Sequence, residues 1–358
     1  MKSKRFEAHI RSLASGHSRR FSVMSQTEMW RNLSVLLIAG SFGLTTVGCD
    51  WQEMQEIKEP FKLYNPEDEE KPLLVNVDRL KRGQEQYILY CRACHGVNGD
   101  GKGPAGIGLV PPPRNFAAEE LAFKFGGVAA GELPTDEELL RVIKGGLAGT
   151  AMLPWDLPDE TILDIIQYIK TFNPVWTENE LGEVIEITED PWGGTSTTAI
   201  AAGEKLYHSK AQCVLCHPYY GSQEDVYKWS MELTGRASTN FREDMYEPQA
   251  KMSETYGNKL LPIDFGRQPI KAGATPKELF KTIAAGIGGT AMPMWKDAIP
   301  DKEIWAISHY VSHLHKMKDK PEYKEMMAKL KAAPPYTPPA APAEGEEATD
   351  GEDAETEE

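Results

Sequence analysis

One short pattern, Cys-Arg-Ala-Cys-His at residues 91–95, constrains this chain more than any other feature. Its thiols, Cys91 and Cys94, are three positions apart on one helical turn, and the imidazole of His95 follows at once. This pattern is the attachment signature of a c-type haem. It predicts that the two cysteines bond covalently to a porphyrin and that the histidine is the proximal iron ligand. The competing interpretations are half of a zinc site and a thiol redox pair, because both also use Cys-x-x-Cys.

The same pattern occurs again as Cys-Val-Leu-Cys-His at residues 213–217. Cys213 and Cys216 are therefore predicted to attach a second haem, and His217 to ligate its iron. Two copies, each with an immediate histidine, argue against zinc and thiol redox chemistry. The two patterns use four of the five cysteines in the chain, and two haem c groups are the predicted cofactors.

A glycine-rich loop with a methionine follows each haem pattern. Met152 and Met292 both stand in the sequence Gly-Thr-Ala-Met. The register that aligns them also aligns Trp155 with Trp295, which selects Met292 over Met294. A thioether is a soft, neutral ligand that favours ferrous iron and raises the reduction potential, so Met152 and Met292 are the predicted sixth ligands of the two irons. The competing interpretation is an ordinary core methionine.

Helical periodicity surrounds both patterns. A capping box, in which a hydroxyl and a carboxylate each bond to the other residue's backbone, is predicted at Thr135 with Glu138 and again at Thr275 with Glu278. Isoleucines at helical spacing within residues 162–169 predict one buried face. Helices are therefore predicted over residues 78–90, 135–144, 159–172 and 301–314.

A proline-rich segment at residues 111–116 follows the first haem pattern and cannot be helical. Its carbonyls, or that of Pro104, are predicted to accept a hydrogen bond from the ring N–H of His95 that faces away from the iron. Pro-Ile-Asp-Phe at residues 262–265 repeats part of this segment after the second pattern.

The second copy also carries an insert, residues 218–261, that is rich in tyrosine and methionine. One interpretation is an excursion that packs on itself and covers the second haem. The other is a partner-docking surface or the source of a different axial ligand. The remaining histidines of this part of the chain are predicted to be solvated surface residues rather than ligands: His208, His309, His313 and His315.

The N-terminus predicts export. Basic residues precede an apolar run at residues 33–47, which is shorter than the roughly 20 residues that a helix needs to cross a bilayer. Residues 44–49 look like a bacterial lipobox, although Thr46 stands where that pattern prefers leucine. Lipidation of Cys49 is therefore predicted, with an uncleaved helical anchor or an unmodified thiol as the alternatives. Either a lipid or an uncleaved anchor would hold the protein at a membrane surface.

The net charge of −15 comes partly from an acidic C-terminal end and argues against a nucleic-acid-binding protein, which would show a basic patch. The proline-rich and acidic end lacks the apolar residues that a core requires and is predicted to be disordered. The predicted segments are a signal segment (1–48), an extended tether (49–77), a first haem domain (78–174), a linker (175–196), a second haem domain (197–316) and a charged tail (317–358).

Cys-x-x-Cys-His, a glycine-rich loop, a proline turn and a Gly-Thr-Ala-Met loop between helices resemble class I cytochrome c, twice over, across residues 78–316. The first haem pattern with Pro-Pro-Pro-Arg-Asn-Phe also looks like the haem subunits of respiratory complexes, including alternative complex III. The resemblance implies an all-α fold of two tandem class I cytochrome c domains, with electron transfer as the activity. It also implies that helices cross at Gly83 and Tyr168 in the first domain, and at Gly203 and Tyr310 in the second.

We therefore expect an electron carrier or redox subunit, not an enzyme, lipid-anchored on the periplasmic side of a bacterial cytoplasmic membrane. Its expected partners are redox proteins, either a membrane quinol-oxidising complex or a terminal oxidase, within or beside a respiratory complex. Methionine on both irons would leave no position open to a substrate. The alternative is a dihaem cytochrome c peroxidase, which needs one open or displaceable ligand position. A third hypothesis is a structural subunit whose haems only connect the parts of a larger complex.

Overall fold

The structure, a computed structural model, describes residues 56–338. The predicted signal segment, Cys49 and the acidic end lie outside the described residues. No helix within the described range is long and apolar enough to cross a membrane. In chain order the elements are β1 (Phe61–Leu63), β2 (Leu73–Val75), α1 (Val77–Tyr90), α2 (Arg92–His95), α3 (Asp136–Gly145), α4 (Asp159–Lys170), α5 (Val175–Glu178), α6 (Thr197–His208), α7 (Gln223–Thr234), β3 (Lys251–Ser253), β4 (Asn258–Leu260), α8 (Pro276–Ala285), α9 (Asp301–Lys316) and α10 (Pro321–Ala332).

The four helices predicted from the sequence are confirmed as α1, α3, α4 and α9. The isoleucine face of α4 is buried as predicted, since Ile162 and Ile166 are both fully excluded from solvent. Short 3₁₀ turns at Pro104–Gly106 and Cys213–Leu215 complete the helical structure of the described residues. We call residues 56–178 the first half and residues 197–338 the second half.

The helix caps differ between the halves. At Thr275 both bonds of the capping box form. At Thr135 only the hydroxyl bond forms, in which the amide of Glu138 donates to Thr135 Oγ1. The Glu138 carboxylate instead pairs with Arg141 and Lys281. The predicted capping box at Thr135 is therefore wrong for its carboxylate half, because two cations compete successfully for that group.

Two pairs of helices, α1 with α4 and α6 with α9, pack backbone against backbone. A Cβ atom at Gly83 would lie 2.1 Å from the carbonyl oxygen of Asp164 and 3.0 Å from Cβ of Tyr168. A Cβ atom at Gly203 would lie 2.8 Å from Cβ of Tyr310. The crossings implied by the resemblance are thus confirmed, and they are possible because glycine has no side chain to separate the helices.

Residues 56–77, the described part of the predicted tether, fold against the first half and do not form a free tether. β1 and β2 pair as an antiparallel hairpin, and the amide of Tyr64 donates to the carbonyl of Trp176 at 3.0 Å. Phe61 and Leu63 pack against the cluster that contains the buried Trp176. Residues 56–77 therefore belong to the first half, because the alternating apolar residues of β1 find an apolar surface there.

The linker and the start of the predicted tail also pack against the helical core. Trp176 of α5 is buried in the first half, and Ile185 joins the core cluster of the second half. α10 buries Tyr323 and Met327, which are 2% and 3% exposed. The predicted charged tail thus begins with a packed helix, whose apolar residues are spaced four apart on one helical face, and the predicted disorder concerns the proline-rich and acidic end beyond it.

Two histidines that were predicted to be solvated are buried. His208 and His309 are 2% and 1% exposed. His208 Nδ1 donates to the carbonyl of Glu204 at 2.8 Å, and its Nε2 accepts from the amide of Tyr220 at 3.0 Å. His309 Nε2 lies 2.9 Å from Asp190 Oδ2. The prediction failed because each ring finds polar partners inside the fold, which offset the cost of burial.

The substitution Gly83→Ala tests the first helix crossing. Helix propensity alone favours alanine by about 1 kcal/mol. The new methyl group would overlap the backbone of α4, so we expect the free energy of unfolding to fall by about 1–3 kcal/mol or more. Urea unfolding followed by circular dichroism measures this change. Gly145→Ala is the control, because nothing lies within 4 Å of a Cβ atom at Gly145, and an equal loss in both variants would contradict the packing argument.

Candidate functional site

The first haem pattern forms the short helix α2, with His95 at its end. His95 Nδ1 donates to the carbonyl oxygen of Arg114 at 3.0 Å, and its ring stacks on Phe116 with the centroids 4.8 Å apart. Because Nδ1 carries the proton, the lone pair of the neutral ring is on Nε2, which is the form that ligates a metal. The predicted bond from His95 to the segment at residues 111–116 is confirmed.

The C-terminal end of α1 and the glycine-rich segment at residues 96–104, which directly follows His95, hold this pattern in place. The hydroxyl of Tyr87 donates to the carbonyl of Gly96 at 2.8 Å, and the amide of Gly103 donates to the carbonyl of Cys94 at 3.1 Å. A Cβ atom at Gly103 would lie 2.4 Å from the carbonyl oxygen of Ala93. The loop therefore lies directly against the haem pattern, and glycine is required for this close approach.

The second pattern has the same surroundings. His217 Nδ1 donates to the carbonyl of Ile263 at 2.9 Å, and its ring stacks on Phe265 with the centroids 4.8 Å apart. The hydroxyl of Tyr207 donates to the carbonyl of Pro218 at 2.9 Å, as Tyr87 does in the first half. Neither the stacked phenylalanines nor the tyrosine bonds were predicted from the sequence. Their signal was present, because each of these residues recurs at the same place in the repeat.

Burial determines the protonation of both patterns. It lowers the pKa of His95 and His217, which favours the neutral imidazole. It raises the pKa of the Cys91 and Cys213 thiols to about 12. Redox-active thiols have lowered pKa values, so these surroundings disfavour the thiol redox interpretation. All the described cysteines are free thiols.

Both methionine loops share the same internal hydrogen bonds. The amide of Met152 donates to Thr150 Oγ1 at 3.1 Å, and the amide of Leu147 donates to the carbonyl of Met152 at 2.8 Å. The amide of Met292 likewise donates to Thr290 Oγ1 at 3.1 Å. The threonine of Gly-Thr-Ala-Met thus fixes the backbone of each methionine, a role that was not predicted from the sequence.

The residues at each site fit a c-type haem. Each site offers two free thiols, an imidazole with an unprotonated Nε2 and a methionine on an ordered loop, which is the donor set of a His/Met haem. Apolar side chains beside these groups are exposed, with Leu153 at 66% and Leu215 at 55%, and an apolar macrocycle would cover such surface. Cys91, Cys94, His95 and Met152 would hold one haem, and Cys213, Cys216, His217 and Met292 the other.

Each methionine loop packs against the opposite half of the molecule. The amide of Ala148 donates to the carbonyl of Lys271 at 3.0 Å, and a Cβ atom at Gly149 would lie 2.3 Å from Pro269. A Cβ atom at Gly288 would lie 2.3 Å from the carbonyl oxygen of Phe123. The loops that carry the candidate sixth ligands are therefore part of the contact between the halves.

Tyr256, between β3 and β4 of the insert, connects the two halves. Its hydroxyl accepts from Arg114 and lies 3.3 Å from the carbonyl of Ala122 and 3.2 Å from that of Gly288. Its ring lies 4.6 Å from the Arg114 guanidinium and 4.4 Å from the Lys124 ammonium. The insert thus also contacts the first half, which neither interpretation of the sequence foresaw, because a single tyrosine in an insert carries no signal of its partner.

These features define a cytochrome c-type protein with two domains of the same construction. A family model described as cytochrome c oxidase, cbb3-type, subunit III matches residues 78–169 and 198–311, and the chain belongs to this family.

No curated protein matches the chain. Among solved structures, a chain of the reducing HAO-like protein complex of Kuenenia stuttgartiensis is similar. It has a TM-score of 0.52 and 28% sequence identity, and the match covers 65% of this chain and 96% of that one.

The burial of His208, which accepts from the amide of Tyr220, predicts that the stability of the protein depends on pH. Burial lowers the pKa of His208 to about 4, whereas an unfolded chain has a histidine pKa of about 6.5. The unfolded state therefore binds more protons between these values, so the stability contributed by neutral His208 is present above pH 6.5 and is lost as the pH falls towards 4. The full loss is about 3 kcal/mol.

Chemical unfolding at pH 7 and pH 4.5 measures this loss, with His208→Gln as the comparison. Glutamine can keep one donor and one acceptor but does not titrate. We expect the variant to lose less stability than the natural chain across this pH range. Equal pH dependence of the two proteins would contradict the assignment.

Proposed function

We propose that the protein transfers electrons through two c-type haems held in series by its two cytochrome c domains. The observation that carries the proposal is the duplicated site, in which the same histidine bond, stacked phenylalanine and methionine loop occur in both halves. The haem supplies one-electron redox chemistry when it is bound.

The chain's own residues bind and orient the cofactor. The carbonyls of Arg114 and Ile263 hold the two proximal imidazoles in the tautomer that ligates iron. The threonine bonds of both methionine loops hold the backbones of Met152 and Met292 in place, and each thioether would serve as a fixed sixth ligand of a bound haem iron. A fixed sixth ligand leaves no position for peroxide, so these matched loops support a carrier or redox subunit rather than a peroxidase.

We infer a location at the outer face of a bacterial cytoplasmic membrane, with the protein anchored through a lipid on Cys49. The lipobox-like residues 44–49 support this location. Membership of a family described by an oxidase subunit, and similarity to a chain of a redox complex, support redox proteins as partners. A membrane quinol-oxidising complex is the proposed donor and a terminal oxidase the proposed acceptor.

Methionine substitutions test the haem assignments. The full-length protein, produced in a host that attaches haem c, should contain two haems per chain and titrate in two one-electron steps. Met152→His and Met292→His should each lower one midpoint potential by on the order of 0.1 V, within the about 0.8 V over which axial ligands set haem potentials. Spectroscopic redox titration measures both steps.

Met294→His is the matched control, since Met294 lies two positions from Met292 and is 39% exposed. It should leave both potentials unchanged. If the natural protein has one high-spin haem and reduces peroxide, the peroxidase function is favoured. If it attaches no haem, the proposal is refuted.

Lipidation is tested by Cys49→Ser. Without the thiol no acyl chains can be attached, so we expect the haem protein to move from the membrane fraction to the soluble fraction of cells. Mass spectrometry of the natural N-terminus provides the independent measurement. Retention of the serine variant in the membrane together with residues 1–48 would show an uncleaved anchor instead.

A further inference from the structure

The backbone around the two proximal histidines is matched residue for residue. The carbonyls that accept from the histidines belong to Arg114 and Ile263. The next residues, Asn115 and Asp264, each accept at Oδ1 from the amide two positions further on, at 2.9 and 3.0 Å. The two sites have the same candidate ligands, the same histidine-to-carbonyl bond and the same local turn. A difference in side-chain charge at these positions is therefore a difference between otherwise matched sites.

The charges at these matched positions are opposite. The first site has the cationic Arg114 followed by the neutral Asn115. The second site has the apolar Ile263 followed by the acidic Asp264. A positive side chain therefore lies next to the bond that holds His95, and a negative side chain lies next to the bond that holds His217.

Asp264 is a buried carboxylate. Its side chain is 4% exposed. Its Oδ1 accepts from the hydroxyl of Tyr220 at 3.1 Å, the hydroxyl of Tyr323 at 2.5 Å and the amide of Gly266 at 3.0 Å. All three partners donate, and an ionised carboxylate is the form that accepts only.

One cation faces this carboxylate and offsets it only in part. Arg267 Nε lies 3.3 Å from Asp264 Oδ2, but the Arg267 side chain is 51% exposed. The same guanidinium lies 3.8 Å from Glu247 Oε2. Solvent screens an exposed cation more than it screens a buried anion, and this cation is shared between two anions. A second cation, Arg242, lies with its Nη2 3.5 Å from the carbonyl oxygen of His217, and its Nη1 lies 3.5 Å from Asp244 Oδ1, so it too is paired with a carboxylate. The buried Asp264 is therefore the charge that distinguishes the proximal side of His217 from that of His95.

The first site has cations in its surroundings instead. Arg114 and Lys124 both lie over the ring of Tyr256, and within residues 56–338 neither forms an ion pair with a carboxylate. Burial, with repulsion from Arg114 and Lys271, lowers the pKa of Lys124 to about 8, so it still carries its charge for the most part at pH 7. The carboxylate of Asp100 also lies near this site, beside Gly96. The two cations outnumber it, so a net positive charge remains near the first site.

We propose that the haem of the second site has the lower reduction potential, so that electrons enter the protein at the second site and leave it from the first. A negative charge stabilises ferric iron, which is the more positive state, and a positive charge stabilises ferrous iron. The donor loses one electron to the haem of the second site, and the haem of the first site passes one electron to the acceptor. No covalent bond forms or breaks. This inference rests on the proposed function.

Spectroscopic redox titration of the full-length protein tests the order. The step that moves in Met152→His belongs to the first haem, and the step that moves in Met292→His belongs to the second. Asp264→Asn keeps an Oδ1 acceptor for the two tyrosines and removes the charge. At an effective dielectric constant of ~20, this should raise the equilibrium constant for reduction of the second haem roughly tenfold, which is about 59 mV, and leave the first unchanged.

Asn115→Asp is the reciprocal variant. It keeps the acceptor for the amide of Ala117 and places a charge at the matched position of the first site. Because Asn115 is less buried than Asp264, this variant should fold even where Asp264→Asn does not. We expect it to lower the first potential, in the opposite sense to the Asp264 variant, and to leave the second unchanged.

The outcomes separate this inference from the proposed function. Two haems with the second potential at or above the first would overturn the inference and leave electron transfer intact. So would a correctly folded Asp264→Asn protein whose second potential is unchanged, or an Asn115→Asp protein whose first potential does not fall. A protein that attaches no haem would refute the proposed function itself.

Discussion

The contact between helix backbones at Gly83 and Gly203 is the constraint on which the rest of the structure depends. α1 and α6 each lead into a haem pattern, and α4 and α9 each follow a methionine loop. Direct backbone contact therefore fixes the two sides of each candidate site relative to each other. A side chain at either glycine would force the helices apart, and the histidine and methionine would move with them.

The contact between the two halves fixes the positions of the two candidate sites relative to each other. Each methionine loop rests on the other half, and the buried Glu138 pairs with Lys281 across the same contact. Tyr256 reaches from the insert to Arg114, whose carbonyl holds His95. The two candidate sites are thus joined by short polar contacts, so their separation is set by the fold and not by a flexible linker. A fixed separation would suit the proposed transfer of electrons between two haems.

The sequence predicted what depends on local pattern. The haem patterns, the methionine loops and the main helices follow from spacing, periodicity and repetition, and the helix crossings at the two glycines were implied by the family resemblance. It did not predict what depends on distant partners. The burial of His208 requires the amide of Tyr220, and the packing of α10 requires an apolar surface supplied by other elements. Nothing in the neighbouring residues indicates these partners, so the histidines were assigned to solvent and the packing of α10 was not predicted.

The two sites share one backbone arrangement, so a substitution at a matched position can change the charge near one site and leave its geometry the same. A buried carboxylate such as Asp264 is costly unless donors surround it. Here the two hydroxyl donors come from outside the repeat, since Tyr220 lies in the insert and Tyr323 lies in α10. Neither of these elements is repeated in the described first half, and there the matched residue is the neutral Asn115. The added elements of the second half are therefore what makes a negative charge tolerable beside His217, and the electrostatic difference between the sites depends on them.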